Sequence, residues 1–563
     1  PGVWLGSGMA GIDGLAAGDQ VTAEQMQNLF GAGMHPLAQQ RMDALHGPGL
    51  TEVDYREASR LGTPFKIFSP DVSPFRVEVA RRLAALNLLE GSPSRSAVTA
   101  SERARIRTEV GREFFRGEFG REPADARELA GLIARLSRPQ TTAIAGFDLT
   151  FSPVKSVSTL WALADPHTAA TIERCHQAAI SDALRFLETH ALFTRTGAKG
   201  VRQVDVRGLV AAAFTHRDSR AGDPDLHTHV AVANKVQTLD GRWLSIDGRV
   251  LFKAKVTASE TYNTALERHL ADALGVRFVD RTTSAGRRPV REIDGVDPAL
   301  NTRWSARRRS IQARRDELAV DFQATHGRPP TPIETLALAQ QANLETRDAK
   351  HEPRTVAEQR TAWRTQADAV LGGPDGIRRM LHTALHPTRA SAPTLDEAWF
   401  TRTAASIVAT VEGSRATWQS WHVRAEAQRR ARAASIPTAQ LDAAVERLVA
   451  TALGEHSLPL AVPTDGITEP AALQRVDGQS VYTVAGAELF TSPRILAAEQ
   501  RLVDAAGRHD GRTVDPATVE VALLETAANG FELNAGQVAL VRAMACSGAR
   551  VQVAIAPAGS GKT

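Results

Sequence analysis

Residues 214–229 read Phe-Thr-His-Arg-Asp-Ser-Arg-Ala-Gly-Asp-Pro-Asp-Leu-His-Thr-His. A glycine and a proline predict that residues 217–225 form the loop of a hairpin between two strands. His227 and His229 lie two positions apart on the second strand, so their side chains share one face. If His216 pairs across the hairpin with either of them, three imidazoles lie side by side.

Three imidazoles at this spacing predict a metal site. Opposed β-carbons in an antiparallel pair are about 5 Å apart, close enough for three rings to bind one ion at about 2.0–2.1 Å. Neutral imidazole suits zinc, nickel and manganese, and three ligands leave positions for a substrate oxygen. A metalloenzyme of the cupin kind needs a glutamate where this chain has Ala233. A hydration site like that of carbonic anhydrase fits the ligand count.

Strands and helices alternate around this hairpin. Short β-branched or aromatic runs predict strands, and longer periodic runs predict helices. The predicted strands are Ile144–Phe151, Val206–Thr215, Leu226–Val236 and Arg242–Ile246. The predicted helices are Val77–Leu89, Ser101–Phe115, Pro166–Glu188 and Lys255–Leu274. This order predicts an α+β sheet domain.

A second motif covers residues 146–158, which read Gly-Phe-Asp-Leu-Thr-Phe-Ser-Pro-Val-Lys-Ser-Val-Ser. Alternation puts Asp148, Thr150 and Ser152 on one polar face of the strand. A carboxylate on that face can orient a ligating imidazole or accept a proton. Lys155 and the serines that follow it can meet a phosphate. The alternative is a half-buried edge strand that runs into a helix capped by serines.

The chain downstream is mainly helical. Residues 301–371 form a charged helical stretch with a turn at 327–330, and residues 385–394 are the preferred linker. Arg307 and Arg308 can follow a phosphate backbone, although a solvated helix face is the commoner explanation of such a run. The predicted later elements are helices at Leu395–Val411, Trp418–Ala434, Thr438–Leu453 and Ser492–Ala505 and a strand at Ser480–Val484. Three helices and a β-ribbon predict a winged-helix-like unit.

The last residues, 551–563, read Val-Gln-Val-Ala-Ile-Ala-Pro-Ala-Gly-Ser-Gly-Lys-Thr. A buried strand that leads into Gly-x-Gly-Lys-Thr predicts a phosphate-binding P-loop, although Ala556 replaces the usual first glycine. Backbone N–H groups cradle phosphates in such a loop, its lysine meets the β and γ phosphates, and its threonine binds Mg²⁺. The predicted nucleotide-binding residues of the loop are Gly559, Gly561, Lys562 and Thr563.

Composition limits the class of protein. At 563 residues the chain is long enough for several domains, and its charged fraction of 23% is that of an ordinary globular protein. Two cysteines exclude a cysteine-rich zinc cluster or a disulfide framework. No apolar run approaches the roughly 20 residues of a spanning helix, so we expect no stable membrane insertion and a cytoplasmic protein. The net charge of +4 identifies no partner.

Together these segments resemble the MobF class of conjugative relaxases, the TrwC-like enzymes that nick plasmid DNA before transfer. The matching pieces are Val-Trp-Leu-Gly-Ser-Gly at 3–8, the blocks at 147–158 and 214–229, and Trp-Ser-Ala-Arg-Arg at 304–308. The resemblance spans Pro1 to about Leu371. The segment Leu-Asn-Ala-Gly-Gln, which ends at Gln537, resembles the adenine-contacting Q motif of superfamily 1 helicases. MobF relaxases are commonly fused to a RecD-like helicase.

The resemblance implies metal-assisted nicking. In this family three histidines, here His216, His227 and His229, bind a divalent metal ion, for which we expect Mg, Mn or Zn. The aspartate that matches Asp148 supports activation of a tyrosine nucleophile. The implied partners are single-stranded origin-of-transfer DNA and the coupling machinery of type IV secretion. ATP and Mg²⁺ are implied for the helicase of the full-length protein.

The family's catalytic tyrosines precede the Trp-Leu-Gly-Ser-Gly stretch. We therefore expect them upstream of Pro1 and expect this chain to be a fragment that lacks the nucleophile and most of the motor. The tyrosines in the chain are Tyr55, Tyr262 and Tyr482. The family also has a non-nucleophilic tyrosine at the position of Tyr262, and none of the three is assigned as nucleophile.

The sequence thus predicts an α+β fold in four parts. A relaxase palm with an antiparallel sheet and a His-triad metal site is followed by helical and winged-helix-like regions and the start of an α/β RecA-like domain. The predicted boundaries are 1–290 for the relaxase domain, 291–394 for the Arg-rich helices and linker, 395–506 for the accessory region and 507–563 for the helicase start. The alternative functions are a non-catalytic single-stranded-DNA-binding fragment and a metal-dependent nuclease that uses activated water.

Overall fold

The structure is a computed structural model of the chain. It describes residues 2–47, 49–65, 74–89, 100–124, 126–137, 143–281, 288–346, 354–388, 394–461 and 469–555. The chain forms two compact units. The first comprises Pro1–Leu149, Arg207–Ala213 and Val230–Ser245, and the second comprises Thr150–Val206, Phe214–His229 and Ile246–Thr563.

The strands are short, and most pair within small sheets. They are β1 (Gly2–Leu5), β2 (Gln20–Val21), β3 (Gly146–Phe151), β4 (Phe193–Thr196), β5 (Arg202–Asp205), β6 (Ala211–Asp218), β7 (Pro224–Ala233), β8 (Val236–Gln237), β9 (Trp243–Leu244), β10 (Phe278–Arg281), β11 (Val290–Ile293), β12 (Leu458–Pro459) and β13 (Phe490–Thr491). The main sheet has the order β2-β1-β6-β7-β3. Both sides of β1 are antiparallel pairings, with β2 and with β6.

Helices make up most of the remaining structure. In the first unit they are α1 (Ala23–Met26), α2 (Ala38–Asp43), α3 (Glu52–Ser59), α4 (Pro74–Leu89), α5 (Ala100–Phe119) and α6 (Ala126–Ser137). The second unit begins with α7 (Lys155–Leu163), α8 (Pro166–His190), α9 (Gly248–Leu274), α10 (Pro298–Arg303), α11 (Ala306–His326), α12 (Pro332–Glu345), α13 (Val356–Leu371) and α14 (Pro374–Leu385). It continues with α15 (Glu397–Glu412), α16 (Ser420–Ala433), α17 (Thr438–Gly454), α18 (Pro493–Ala506), α19 (Pro516–Ala528) and α20 (Ala535–Cys546).

The opening Trp-Leu-Gly-Ser-Gly stretch packs closely against other segments of the first unit. Trp4 is fully buried, and its indole N–H donates to Gln25. Gly6 has a φ of 100°, and a β-carbon there would lie 2.1 Å from the carbonyl oxygen of Leu209. Only glycine therefore lets β1 turn against the segment that leads into β6.

Two long helices, α8 and α9, form the core of the second unit. Asp165 caps α8 by accepting hydrogen bonds from the backbone N–H groups of His167 and Thr168. The helix α9 ends at Gly275, which adopts the left-handed conformation that favours glycine. A further core forms among α15, α16 and α17, where the fully buried Trp418 packs with apolar side chains of all three helices.

Three predicted strands differ from the structure. The predicted strand Val206–Thr215 is wrong at its start, since residues 207–210 lie outside any strand and β6 begins at Ala211. Residues 480–484 do not form a strand: Ser480 makes only an isolated bridge with Gln474, a turn follows it, and the guanidinium of Arg475 donates to the carbonyl oxygens of Ser480 and Thr483. Residues 551–555 are not a buried strand: Ile555 is 95% exposed, and no described segment pairs with it. A strand without a pairing partner leaves its backbone polar groups to water.

The predicted α+β character and antiparallel sheet are confirmed. The three helices predicted after the linker form close to their predicted bounds, as α15, α16 and α17, and α18 follows them. Among the described residues, none of the helices combines the length and the apolar character needed to cross a membrane.

Candidate metal centre

The strand β7 alternates strictly between buried and half-exposed side chains. Leu226, Thr228 and Val230 are buried, while His227 and His229 lie between them on the half-exposed face. The threonine hydroxyls of Thr215 on β6 and Thr228 on β7 are 3.0 Å apart. Their contact fits a register in which His216, the next residue of β6, lies opposite His227.

The three histidines form a nearly equilateral triangle. The ring centres of His216 and His227 are 5.2 Å apart, those of His216 and His229 5.4 Å, and those of His227 and His229 5.3 Å. An ion bound tetrahedrally at about 2.1 Å from one nitrogen of each ring separates the ring centres by about 5.2 Å. The triangle therefore has the size that one bound ion requires.

The hydrogen bond of the His227 ring shows which of its nitrogens is free to accept a metal. The Nδ1 atom of His227 lies 2.7 Å from the carbonyl oxygen of Asp225, and it donates to that oxygen because a carbonyl can only accept. The Nδ1 atom of His229 lies 3.2 Å from the hydroxyl of Thr150 on β3. A ring that donates from Nδ1 carries its lone pair on Nε2. Such bonds orient metal-binding histidines and fix their tautomer.

The rings are close but not yet arranged around one point. Within the described residues, no group of His, Cys, Asp and Glu side chains has its ligand atoms already placed around a single ion. Three imidazoles at this spacing still suit a borderline divalent ion, because ring rotation moves a nitrogen by more than an ångström without moving the strands. The residues present therefore fit a divalent ion.

The start of β7 is held by the first turns of α7. Lys155 donates to the carbonyl oxygen of Pro224 at 2.8 Å and lies 3.3 Å from the carboxylate of Asp225. The hydroxyl of Ser158 accepts the backbone N–H of Leu226 at 3.2 Å. The motif that was predicted to meet a phosphate through Lys155 thus holds the histidine strand, and its serines do not cap the helix.

The loop of the hairpin is fixed by two other helices. Asp223, buried in that loop, accepts the backbone N–H of Ala306 at the start of α11 at 2.9 Å. Burial raises the pKa of Asp223 above its ordinary value, and the hydrogen bond from Ala306 opposes that shift. On α13, the indole N–H of Trp363 donates to the carbonyl oxygen of Gly222 at 2.8 Å. The hairpin is therefore preorganised by contacts from several elements.

The sequence blocks at 147–158, 214–229 and 304–308 thus meet at one hairpin. A profile of the TrwC relaxase family matches residues 1–370. The chain belongs to that family. The match includes β3, the hairpin of β6 and β7, and the N-terminal turns of α11. The match confirms the prediction from the sequence that this chain is a relaxase of the MobF/TrwC type.

Two curated relatives are both described as the multifunctional conjugation protein TraI. One, from Escherichia coli, is 34% identical over 248 residues, which cover 41% of this relaxase and 14% of that relative. The other, from Escherichia coli strain K12, is 38% identical over 102 residues, which cover 18% of this chain and 6% of the relative. The chain therefore spans a small part of the length of the relatives that it matches.

Solved structures of the conjugative relaxase TrwC are also similar. A copper-bound complex with OriT DNA is 26% identical and covers 46% of this chain and 85% of the solved chain, with a TM-score of 0.34. A metal-free complex with OriT DNA is 23% identical and covers 52% of this chain and 95% of the solved chain, with a TM-score of 0.34.

The other predicted site residues of the relaxase differ in their surroundings. Asp148 is exposed on β3, two residues before Thr150 and on the same face of that strand. Arg307 donates to Asn343, whereas Arg308 is exposed and makes no hydrogen bond or ion pair with another described residue. Both arginines line an open cleft of about 1450 Å³ that also contains Lys155. Of these cations, Arg308 is the best suited to an external phosphate.

The predicted nucleotide site is described only in part. Gln537 lies in the first turn of α20 and closes a capping box, in which its side-chain oxygen accepts the backbone N–H of Asn534. The loop residues Gly559, Gly561, Lys562 and Thr563 lie outside the described residues.

Sequence reasoning missed the residues that orient the histidines. Strand alternation places Thr150 on a polar face without giving it a partner, and no sequence pattern points to the carbonyl of Asp225. The alternation in β3 was a signal for Thr150, since a polar strand next to a histidine strand offers hydrogen-bond partners. A backbone carbonyl leaves no signal in the sequence.

Proposed function

We propose that this chain carries the DNA-nicking module of a conjugative relaxase, which cuts one strand of an origin of transfer through attack of a tyrosine on a phosphodiester. The observation that carries the proposal is the triangle of His216, His227 and His229. It is supported by the family match over residues 1–370 and by relatives named for conjugation.

The proposed site holds one divalent ion, Mg²⁺, Mn²⁺ or Zn²⁺, on the three histidines. Such an ion, when bound, neutralises charge on a phosphate oxygen. The chain's own residues prepare the site: Asp225 and Thr150 orient two of the rings, and α7 and α11 hold the strand and loop that carry them. Asp148 supports activation of the nucleophile.

Tyr262 is unsuited to be that nucleophile. Its side chain is 2% exposed, and its hydroxyl shares a hydrogen bond with His176. Burial raises the pKa of Tyr262 well above its ordinary value, which opposes formation of a phenolate. Tyr55 and Tyr482 are exposed, and both lie outside the motif blocks at 3–8, 147–158, 214–229 and 304–308. We therefore expect residues 1–563 to bind single-stranded DNA without becoming covalently linked to it.

Binding of a labelled single-stranded oligonucleotide, measured by fluorescence anisotropy with and without Mn²⁺, tests the proposal. We expect Mn²⁺ to strengthen DNA binding in the wild-type chain and to have no effect in His227→Ala, because the ion contacts the phosphate only when the triangle holds it. A Mn²⁺ effect as large as that of the wild type in each of His216→Ala, His227→Ala and His229→Ala would contradict the proposal.

The cleavage products separate the alternative functions. A denaturing gel of the same oligonucleotide after incubation with Mn²⁺ shows a protein-linked band for tyrosine attack and free ends for a nuclease that uses water. A band lost in Tyr55→Phe or Tyr482→Phe would identify a nucleophile that we do not expect. Uncut DNA together with Mn²⁺-independent binding would favour a DNA-binding fragment without a metal site.

We further propose that residues 507–563 begin a RecD-like helicase domain that binds ATP and Mg²⁺ through Gln537 and the loop at 559–563. The support is the sequence of the loop, in which glycines precede Lys562 and Thr563. Phosphoryl transfer also needs a metal-holding carboxylate and a group that positions water. Binding of labelled ATP to the wild-type chain and its loss in Lys562→Ala test this assignment.

A further inference from the structure

Each predicted ligand has a threonine as its neighbour in the chain. Thr215 precedes His216, and Thr228 lies between His227 and His229. Because successive side chains of a strand point to opposite faces, the threonines lie on the face opposite to the histidines. Their hydroxyls are 3.0 Å apart, so the two strands are linked directly behind the triangle.

Two buried side chains of α8 and α9 continue this link. The Nε2 atom of His176 lies 2.9 Å from the hydroxyl of Thr228, and its Nδ1 atom lies 2.8 Å from the hydroxyl of Tyr262. His176 and Thr228 are fully buried. On the same face, the side chain of Gln177 donates to the hydroxyl of Thr215 at 2.9 Å.

The hydrogen-bond chain Tyr262–His176–Thr228 is satisfied in one strand register only. A slip of β7 by one residue would turn Thr228 to the histidine face and leave the Nε2 atom of His176 without its partner. A buried polar atom that loses its hydrogen bond costs more than the bond itself contributes, because water cannot replace the partner. Tyr262 is held in turn by the ring of Phe151, whose centre lies 5.2 Å from its own.

We propose that His176, Tyr262 and Thr228 are positioning residues, which hold β6 and β7 in the register that keeps the three histidine rings within reach of one ion. They act through the backbone of β7 and contact neither the ion nor DNA. This role rests on the proposed metal site, because the three residues lie on the opposite face of the strands and act only by positioning the histidines of that site.

Thr228→Val is the decisive variant, because it keeps the shape of the side chain and removes the hydroxyl. Mn²⁺ affinity by calorimetry and the electron paramagnetic resonance spectrum of bound Cu²⁺ are the two readouts. We expect Thr228→Val to lower Mn²⁺ affinity by about tenfold, as loss of partners outside the ligand shell commonly does, and to alter the copper spectrum. Thr228→Ser, which restores the hydroxyl, is expected to recover both.

Thr491→Val provides the matched control. Thr491 is also a buried strand threonine, on β13. Its hydroxyl donates to the carbonyl oxygen of Ala416, between α15 and α16, at 2.9 Å. We expect this variant to lose stability, seen as a lower melting temperature, while its Mn²⁺ affinity and copper spectrum stay as in the wild type. If Thr228→Val does not fold, Tyr262→Phe removes the far end of the link and is expected to change the copper spectrum in the same direction.

The outcomes separate the inference from the proposed function. Wild-type affinity and spectrum in Thr228→Val, with loss of Mn²⁺ binding in His227→Ala, would overturn the positioning role and leave the metal site intact. Equal losses in Thr228→Val and Thr491→Val, or no recovery in Thr228→Ser, would also overturn it. Equal Mn²⁺ binding in the wild type and in all three histidine variants would instead refute the metal site.

Discussion

Single alanine replacements of His216, His227 and His229 are each expected to lower Mn²⁺ affinity by at least tenfold. Each ring supplies one of three ligands, and the open positions filled by water do not compensate for a lost imidazole. Binding is also expected to weaken as pH falls, because protons compete with the metal for the ligating nitrogens. Calorimetry checks both effects, with His382→Ala, an exposed histidine on α14, as the control. Unchanged affinity in all three variants would contradict the assignment.

His176 gives the metal-free protein a pH-dependent stability. Burial, followed by the charge of His227, lowers the pKa of His176 from 6.5 to about 4. Between pH 6.5 and pH 4 the unfolded chain therefore binds more protons than the folded chain, so the free energy of unfolding falls as pH falls. Below pH 4 both states are protonated and the loss levels off at about 3 kcal/mol.

His176→Gln removes this titration. We expect urea denaturation in the presence of a chelator to show a smaller decrease in unfolding free energy from pH 7 to pH 4.5 for the variant than for the wild type. Parallel pH profiles of the two proteins would mean that His176 is protonated in the folded state.

At the scale of elements, α7 and α11 both begin with cationic side chains that line the same cleft, but the cations differ in their partners. Lys155 on α7 binds Pro224 and Asp225, whereas Arg308 on α11 is exposed. Arg308→Ala is therefore expected to weaken single-stranded-DNA binding and to reduce the slope of log affinity against log salt by about 0.7, the value for one phosphate contact. Lys155→Met is expected to lower the melting temperature and leave that slope unchanged.

Anisotropy titrations over a range of salt concentrations check this difference, with Arg402→Ala, an exposed arginine on α15, as the control. A reduced slope in Lys155→Met would show that Lys155 leaves its internal partners to bind phosphate. The predicted DNA-binding role of Lys155 would then hold despite its contacts within the protein.

The sequence predicts the hairpin and its three histidines because strand alternation and loop residues are local signals. The strand predicted at 551–555 fails because pairing is not local: apolar side chains favour a strand, but a strand also needs a neighbour, and no described segment supplies one. The same limit hid His176, which lies 52 residues before Thr228. A buried histidine on an amphipathic helix gives no sign in the sequence of which strand it will contact.

At the scale of the whole molecule, the family match ends at residue 370 while the packing of the second unit continues. The hydroxyl of Thr257 on α9 donates to the carbonyl oxygen of Trp421 on α16 at 2.8 Å. The backbone N–H of Gln203 on β5 donates to the carbonyl oxygen of Val481 at 2.7 Å. Residues predicted to belong to an accessory region of a helicase thus pack on helices and strands of the family-matching region.

Ion pairs also join α9 and α16. Glu260 on α9 binds Arg429 and Arg432 of α16, with nitrogen–oxygen distances of 2.8 and 2.9 Å. Glu260 and Arg432 are only 13% and 11% exposed. A largely buried ion pair contributes little net stability compared with apolar side chains, but the removal of one partner leaves the other charge without compensation.

Arg432→Met is therefore expected to lower the free energy of unfolding by about 1–3 kcal/mol, since Glu260 and Glu267 each lose one of two guanidinium partners and keep Arg429 and Arg291 respectively. The matched surface variant Arg542→Met, whose partner Glu520 is 48% exposed, is expected to cost less than about 1 kcal/mol. Urea denaturation measures both. Glu260→Gln added to Arg432→Met is expected to recover part of the loss, because one of the two carboxylates that lost a guanidinium is then neutral. Equal costs for the two single variants would mean that water reaches the contact between α9 and α16, so that these helices are not held together by buried charge.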